Sequence, residues 1–264
     1  MSRFLETLKS SFSVFVQHPK FILPKLFIAF LYSIMILLTA DVAVSAFTEP
    51  SQEVLANSLV LLFVLIVLNV LDVFISSMYP FMVKDVMRKN GVVSISKSFK
   101  EALSRAKVIM PSVLSVEFGF LVLSFILSVP LALLILSESD YTIIFSLLYV
   151  LLILAAVFFF FLLYPITAFE NVSILESFRR SIRLALKNRA DFAKATLLSF
   201  ALSALSIGIG FSLEIFPQNE GTALFWLAFI IVRLLTAYVY SYLYVLNPMF
   251  YFNYVAAGKS GGKK

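Results

Sequence analysis

The sequence predicts an all-α integral membrane protein, with six transmembrane helices in three repeats, each preceded by an amphipathic interfacial helix. Three observations support this prediction. The 264 residues are 61% hydrophobic and only 14% charged, whereas a soluble globular protein has roughly 25% charged residues. Six apolar stretches are each long enough to cross a bilayer. A short basic segment recurs before pairs of these stretches, which indicates an internal repeat.

The six predicted spans are 26–47, 58–83, 109–136, 142–167, 193–216 and 223–253. A helix crosses the hydrocarbon core with about 20 residues at 1.5 Å each. A single apolar run could be a buried core helix, but six in series favour membrane spans. Barrel strands would alternate apolar and polar residues. The segment LVLLFVLIVLNVL (59–71) is instead apolar on every side, which favours helices.

The distribution of charge predicts the orientation of these spans. The segments with most of the Lys and Arg residues are 1–25 with four, 84–107 with seven, 168–194 with six and 255–264 with three. The other three connections carry six acidic residues and no basic one. Because basic loops remain on the cytoplasmic side, we expect a multi-pass protein of the cell (inner or plasma) membrane with both termini cytoplasmic. Anionic headgroups, rather than nucleic acid, then explain the net charge of +6.

Two further features bear on the cellular compartment. The segment MSRFLETLKSSF lacks a compact apolar core followed by small residues, so we expect no cleaved signal peptide and a retained first span. The chain has no cysteine. Disulfides and thiolate chemistry are therefore excluded, and cysteine usage leaves the redox compartment open.

Residues 173–188 have the pattern of a basic amphipathic helix. Ser173 and Glu176 fit a capping box at its start. Such a helix is too polar to cross the membrane and is expected to lie in the cytoplasmic interface, with Phe178 and Ile182 toward the acyl chains. The residues expected to contact headgroups, here and in the related segment 93–106, are Lys97, Lys100, Arg105, Arg179, Arg180, Arg183 and Lys187.

The amphipathic segment recurs along the chain. VSISKSFKEALSRA (93–106) aligns without gaps on VSILESFRRSIRLA (172–185), and LETLKSSFSVFVQ (5–17) is a fainter third copy. A second marker is the proline that follows Tyr79, Tyr164 and Asn247 near the end of each pair of spans, where proline is expected to break the helix and turn the chain. We therefore predict one membrane domain, 1–254, with repeats of about 1–89, 90–168 and 169–254, and a short basic flexible tail, 255–264.

The segment ENVSILESFRRSIRLALKN (170–188) resembles a signature of a set of multi-pass membrane proteins. The set includes the membrane domain attached to some glycerophosphodiester phosphodiesterases and its stand-alone relatives of unknown function. The resemblance covers mainly 164–200, with weaker support at 79–106. It implies a helical integral-membrane domain and no activity, because the phosphodiesterase chemistry of those relatives belongs to a separate soluble barrel.

Charged and polar residues inside the spans are the candidate functional residues, since each charge at mid-bilayer costs about 2.5–3.5 kcal/mol. We predict an intramembrane polar cluster of Asp72, Glu117, Tyr240 and Asn69. It would either satisfy its own hydrogen bonds inside the bundle or form a path for a proton or solute. In a closed ring of repeats the first and sixth spans are neighbours, so we also predict an Asp41–Arg233 ion pair. The alternative is separate snorkelling of the two side chains.

The sequence lacks the motifs of common enzymes. It shows no phosphate-binding glycine loop, no metal-ligand cluster and no nucleophile–base arrangement, so we expect neither catalytic residues, nor a cofactor, nor a metal. The favoured function is a non-enzymatic scaffold, accessory or lipid-interacting protein, with the lipid bilayer and an unknown membrane protein as expected partners. The alternative is a transporter or channel for a small solute or proton that uses Asp72 and Glu117. An intramembrane enzyme is a third hypothesis, for which only these two carboxylates could serve.

Overall fold

A computed structural model describes residues 3–48, 52–87, 91–136, 142–211 and 223–256. Every regular element among them is helical. The helices are α1 (Arg3–Gln17), α2 (Ile22–Thr48), α3 (Gln52–Ser76), α4 (Tyr79–Met87), α5 (Ile95–Leu136), α6 (Thr142–Phe160), α7 (Leu163–Phe169), α8 (Ile174–Lys187), α9 (Arg189–Phe211) and α10 (Ala223–Tyr251). A 3₁₀ turn, Pro19–Phe21, precedes α2, and a π-helical turn, Phe252–Ala256, follows α10.

Five helical segments within the described residues are long and apolar enough to cross a membrane. A sixth is added if α1 and the segment Pro19–Met35, which meet at 93°, count as one bent span. Large apolar side chains are exposed along these segments, with Phe63 66% and Ile143 70% accessible. Contiguous exposed apolar surface of this kind is unfavourable in water. The all-helical prediction is confirmed, and the structure is compatible with a multi-pass membrane protein.

The long helices form a closed ring. In order around it, α2 packs against α3, α3 against α5, α5 against α6, α6 against α9, α9 against α10, and α10 against α2. The first and sixth predicted spans are therefore neighbours, as the sequence indicated. The short helices α4 and α7 contact each other, and both contact α10.

The buried core lies where α4, α7 and the last turns of α10 meet. Tyr79, Met82, Ile166, Leu246 and Phe250 are all fully buried there. By contrast, many apolar side chains of the spans themselves are exposed. Tight packing is thus concentrated at one end of the bundle, which fixes the positions of the helices that surround the site described below.

Two of the three marker prolines accompany a break in a helix. α3 ends and α4 begins just before Pro80, and α6 ends and α7 begins just before Pro165, because proline removes the backbone donor for the carbonyl four residues earlier. The predicted turn at Pro248 is wrong, since α10 continues to Tyr251. Met249 and Phe250 are buried in the core, and their packing holds this turn in helical form despite the missing donor.

The amphipathic segments differ in how they join the spans. α8 begins as predicted, with the backbone N–H of Glu176 donating to the Ser173 hydroxyl at 3.3 Å. The segment 93–106 is not a separate helix, because α5 runs unbroken from Ile95 to Leu136. The segment from Ile95 to Met110 contains no Gly, Asn or Pro that would end the helix. Pro111 lacks only its own backbone N–H donor, and α5 continues through it. Phe178, expected to face acyl chains, packs edge-on against Phe160 with ring centroids 5.8 Å apart.

Candidate functional site

An open cavity of about 670 Å³ lies between α3, α5, α6, α9 and α10. Most of its wall is apolar, with contributions from Phe120, Leu121, Ile153, Ala156 and Val157. Its polar lining consists of Asn69, Glu117, Tyr164, Ser199, Ser203, Tyr240, Tyr244 and Asn247. The cavity therefore combines a large apolar surface with a limited number of polar groups, as ligand pockets usually do.

Three buried polar atoms in this lining have no hydrogen-bond partner among the residues that the structure describes: Glu117 Oε2, Asn247 Oδ1 and the Tyr164 hydroxyl oxygen. The orientation of Asn247 has a local cause. Pro165 cannot donate to the Phe161 carbonyl, and Asn247 Nδ2 donates to that carbonyl instead. This hydrogen bond holds the amide so that its oxygen remains unpaired. Buried polar atoms without partners are uncommon in folded proteins, so these three atoms mark a place where a ligand or water can bind.

A buried ion pair lies beside the cavity. Lys25 Nζ is 2.5 Å from Asp72 Oδ1 and 4.1 Å from the centroid of the Tyr244 ring. The Ser76 hydroxyl also donates to Asp72 Oδ1 at 3.3 Å. Lys25 is only 6% exposed and Asp72 27% exposed. The Tyr244 ring contacts Lys25 and also lines the cavity. Lys25, Asp72 and Tyr244 therefore connect α2, α3 and α10 at the site.

Sequence reasoning missed Lys25, because it counted this lysine with the basic residues outside the spans. A signal was present nonetheless. Asp72 lies in an apolar run and requires a counter-charge there, and Lys25 directly adjoins the first predicted span.

The four residues of the predicted intramembrane cluster are divided between two environments. Asn69, Glu117 and Tyr240 line the 670 Å³ cavity, whereas Asp72 is held in the ion pair. Asp72 remains within electrostatic range of Glu117. Asn69 and Glu117 also line a second cavity of about 650 Å³, whose wall includes Tyr32 and Phe118.

The predicted Asp41–Arg233 pair falls outside the described side chains, because that of Asp41 is not among them. Arg233, in α10, places its guanidinium carbon 5.1 Å from the centroid of the Phe229 ring. This geometry is suited to a cation–π contact. The prediction of the ion pair stays a prediction.

The seven predicted headgroup contacts are not equivalent. Lys100, Arg179, Arg183 and Lys187 are exposed. Arg105 is half-buried and lines a third cavity of about 750 Å³. Lys97 and Arg180 have protein partners instead: Lys97 Nζ lies 2.5 Å from Asp85, and Arg180 Nε lies 2.6 Å from Glu170.

Within the described part of the chain, no group of three His, Asp or Glu residues could hold a metal ion. His18 contacts the Phe21 ring edge-on at 6.3 Å. No protein family, curated protein or solved structure matches the chain. The fold and the site together therefore define a class only: a helical protein, compatible with a multi-pass membrane protein, with a cavity between its long helices.

Proposed function

We propose that this chain is a non-enzymatic, lipid-interacting protein of the cell membrane that holds an amphipathic molecule in the 670 Å³ cavity. The observation that carries the proposal is the cavity itself, which is open and has mostly apolar walls with three unpaired polar atoms. An apolar wall packs against an acyl chain through van der Waals contacts, the interaction that favours packing inside a bilayer. The polar groups then orient the other end of the molecule.

The arrangement of the lining along the helices supports an elongated ligand. Tyr164 and Asn247 adjoin the prolines near the buried core, whereas Ile153 lies in α6, seven residues before its end at Phe160, a distance of about 10 Å along the helix. The polar end of the cavity is thus near the core, and its apolar wall extends toward the middle of the spans. A lipid that entered between the helices would place its headgroup near Tyr164 and its chain along Ile153.

A larger side chain that fills the cavity tests the proposed lipid binding. We expect Ala156→Phe to reduce the amount of lipid that co-purifies with the protein, because Ala156 lines the cavity and the added ring occupies its volume. The matched control is Leu151→Phe on the same helix, where the side chain is 61% exposed. Native mass spectrometry of protein released from detergent micelles measures the retained lipid. Equal retention in both variants and the wild type contradicts the proposal.

We further propose that the chain is built from three repeats, and two sets of contacts support this. When the three amphipathic segments are superimposed by their sequence alignment, the equivalent positions one turn apart are all buried. These positions are Thr7 and Ser11, Ser98 and Ala102, and Ser177 and Ser181. The same small-residue face of each segment thus packs on the bundle, which leaves the basic side chains on the outer face.

The second set joins each amphipathic segment to the end of a pair of spans. Spacing the repeats by their marker prolines makes Asp85, Glu170 and Asn253 equivalent. Asp85 pairs with Lys97, Glu170 pairs with Arg180, and the side-chain amide of Asn253 donates to Thr7 at 2.9 Å. A residue at or just after the end of each pair of spans therefore holds the amphipathic segment that comes next around the ring, and the last such residue holds the first segment, as a threefold ring requires.

The exposed cations support an orientation with the amphipathic segments and both termini on the cytoplasmic side. Lys100, Arg179, Arg183 and Lys187 are exposed and would meet anionic headgroups, each contributing about 1 kcal/mol of attraction. Because the chain has no cysteine, single-cysteine variants report accessibility without a background. Arg183→Cys is expected to react with an impermeant maleimide only in inside-out vesicles, and Ser139→Cys only in right-side-out vesicles. The reverse pattern overturns the orientation.

A second candidate function is transport of a proton or small solute. It is favoured by the position of Glu117 and Asn69, which line both the 670 Å³ and the 650 Å³ cavities, so that a carboxylate stands between two open spaces. Flux measured in reconstituted vesicles for the wild type, Glu117→Gln and Asp72→Asn tests this function. Wild-type flux that neither variant changes excludes a path that uses these two carboxylates.

A further inference from the structure

We propose that the 670 Å³ cavity selects amphiphiles whose polar end is a protonated amine, with the Glu117 carboxylate as counter-ion and the Asn247 side-chain oxygen as a second acceptor. This inference rests on the proposed lipid-binding function and specifies the chemical class of the ligand.

The charge of the lining is the first argument. Glu117 is the charged side chain among the described residues that line the cavity, and no Lys or Arg is among them. The nearby cation, Lys25, is balanced by Asp72 at 2.5 Å. A phosphate or carboxylate headgroup would therefore meet a like charge with no cation in the lining to offset it, which is unfavourable in a partly desolvated site. A cationic headgroup would meet a partner of opposite charge.

The unpaired hydrogen-bonding atoms of the lining also favour an ammonium group. Two of the three unpaired buried atoms, Glu117 Oε2 and Asn247 Oδ1, are acceptors, and the third, the Tyr164 hydroxyl oxygen, can accept as well as donate. An ammonium group has three donors and no acceptor, so it can donate to all three oxygens without creating a new unpaired atom. A carboxylate or phosphate could accept from Tyr164 but would leave the oxygens of Glu117 and Asn247 without a donor. A hydroxyl can donate one hydrogen bond and would satisfy at most one of the two oxygens.

The aromatic lining is the third argument. Tyr164, Tyr240 and Tyr244 all line the cavity, and aromatic faces attract cations within about 6 Å of the ring centroid. The Lys25 ammonium already lies 4.1 Å from the Tyr244 ring, which shows that this part of the protein accommodates an ammonium group against an aromatic face. The apolar wall formed by Phe120, Leu121 and Ile153 would cover an attached hydrocarbon chain, which a bare inorganic cation lacks.

Three single-chain probes of equal length distinguish the contribution of the headgroup to binding from that of the chain: hexadecylamine, hexadecanol and hexadecanoic acid. Delipidated full-length protein in detergent micelles is titrated with each probe, and binding is followed by native mass spectrometry. In the wild type we expect the amine to bind about tenfold more tightly than the alcohol, because a charge-assisted hydrogen bond is roughly twice as strong as a neutral one. The acid is expected to bind more weakly than the alcohol.

Two variants test whether the Glu117 carboxylate causes the preference for the amine. Glu117→Gln keeps the shape of the side chain and is expected to bring the amine to within about twofold of the alcohol. Glu101→Gln is the matched control on the same helix, because Glu101 does not line this cavity and pairs with Lys84 at 2.9 Å instead. It is expected to retain the full preference for the amine. An unchanged preference in Glu117→Gln overturns the assignment.

The remaining outcomes separate this inference from the proposed function. If amine and alcohol bind the wild type equally and Ala156→Phe weakens both, lipid binding stands and the amine selectivity is wrong. If Ala156→Phe weakens none of the three probes, the proposed function itself is wrong. Displacement of the amine when sodium or potassium replaces N-methylglucamine at constant ionic strength would show an inorganic-cation site and overturn the amphiphile assignment.

Discussion

Removing the charge of Asp72 and removing the charge of Lys25 are expected to lower stability by unequal amounts. Asp72→Asn leaves Lys25, which is 6% exposed, without its counter-charge, and an unpaired buried charge costs about 3 kcal/mol. We therefore expect the free energy of unfolding to fall by about 3 kcal/mol. Lys25→Met leaves Asp72, which is 27% exposed and still accepts from Ser76 at 3.3 Å. The expected loss is smaller, about 1–2 kcal/mol.

The double variant Lys25→Met with Asp72→Asn removes both charges and leaves none unpaired. Its free energy of unfolding is expected to lie within about 1 kcal/mol of the wild type, since replacing both partners of a buried pair is often nearly neutral. Unfolding is measured by titrating micelle-solubilised protein with sodium dodecyl sulfate and following far-ultraviolet circular dichroism. Lys20→Met is the control, because Lys20 is exposed and its replacement should change stability by less than about 0.5 kcal/mol. A double variant as unstable as the sum of its two parts would refute the reasoning.

The same unfolding assay tests three further predictions. Ser173→Ala removes the acceptor of the Glu176 N–H and is expected to cost about 1 kcal/mol, whereas Ser173→Thr should retain most of the capping; equal losses would contradict capping. Glu170→Gln weakens the hydrogen bond from Tyr251 at 2.8 Å and the buried ion pair that it makes through a second oxygen, and is expected to cost about 2 kcal/mol. Tyr79→Phe removes the donor to the Phe21 carbonyl at 2.8 Å and should cost about 1–2 kcal/mol; wild-type stability would show that this hydrogen bond contributes no net stabilisation.

Helix content and the positions of the long helices could be predicted from the sequence because both depend on local properties. Apolar runs of more than 20 residues leave the chain few alternatives, and the Ser173 cap marks the start of α8. Helix ends were harder to predict. The turn expected at Pro248 is absent because the burial of Met249 and Phe250 outweighs one missing backbone donor, and that packing is a tertiary effect which periodicity does not report.

The candidate site was predicted in part, and for a physical reason. A carboxylate in an apolar run stands out, so Asp72 and Glu117 could be selected from the sequence. Their partners come from other helices, and pairing between helices is set by the ring rather than by spacing along the chain. The sequence marks Lys25 as a cation at the edge of the first span, but that geometry is needed to pair it with Asp72 in particular. The unpaired state of Asn247 Oδ1 likewise depends on its contact with Phe161, in the turn between α6 and α7.

The contacts of α1 have a consequence for the biosynthesis of the protein. Its side chains meet residues near the far end of the chain: Phe15 packs on Tyr238, Asn253 donates to Thr7, and Arg3 donates to the Asn253 carbonyl. The ribosome makes α1 before these partners. Until α10 has been made, α1 lacks the side chains that it packs against in the folded protein, so its contacts with α10 form late in assembly.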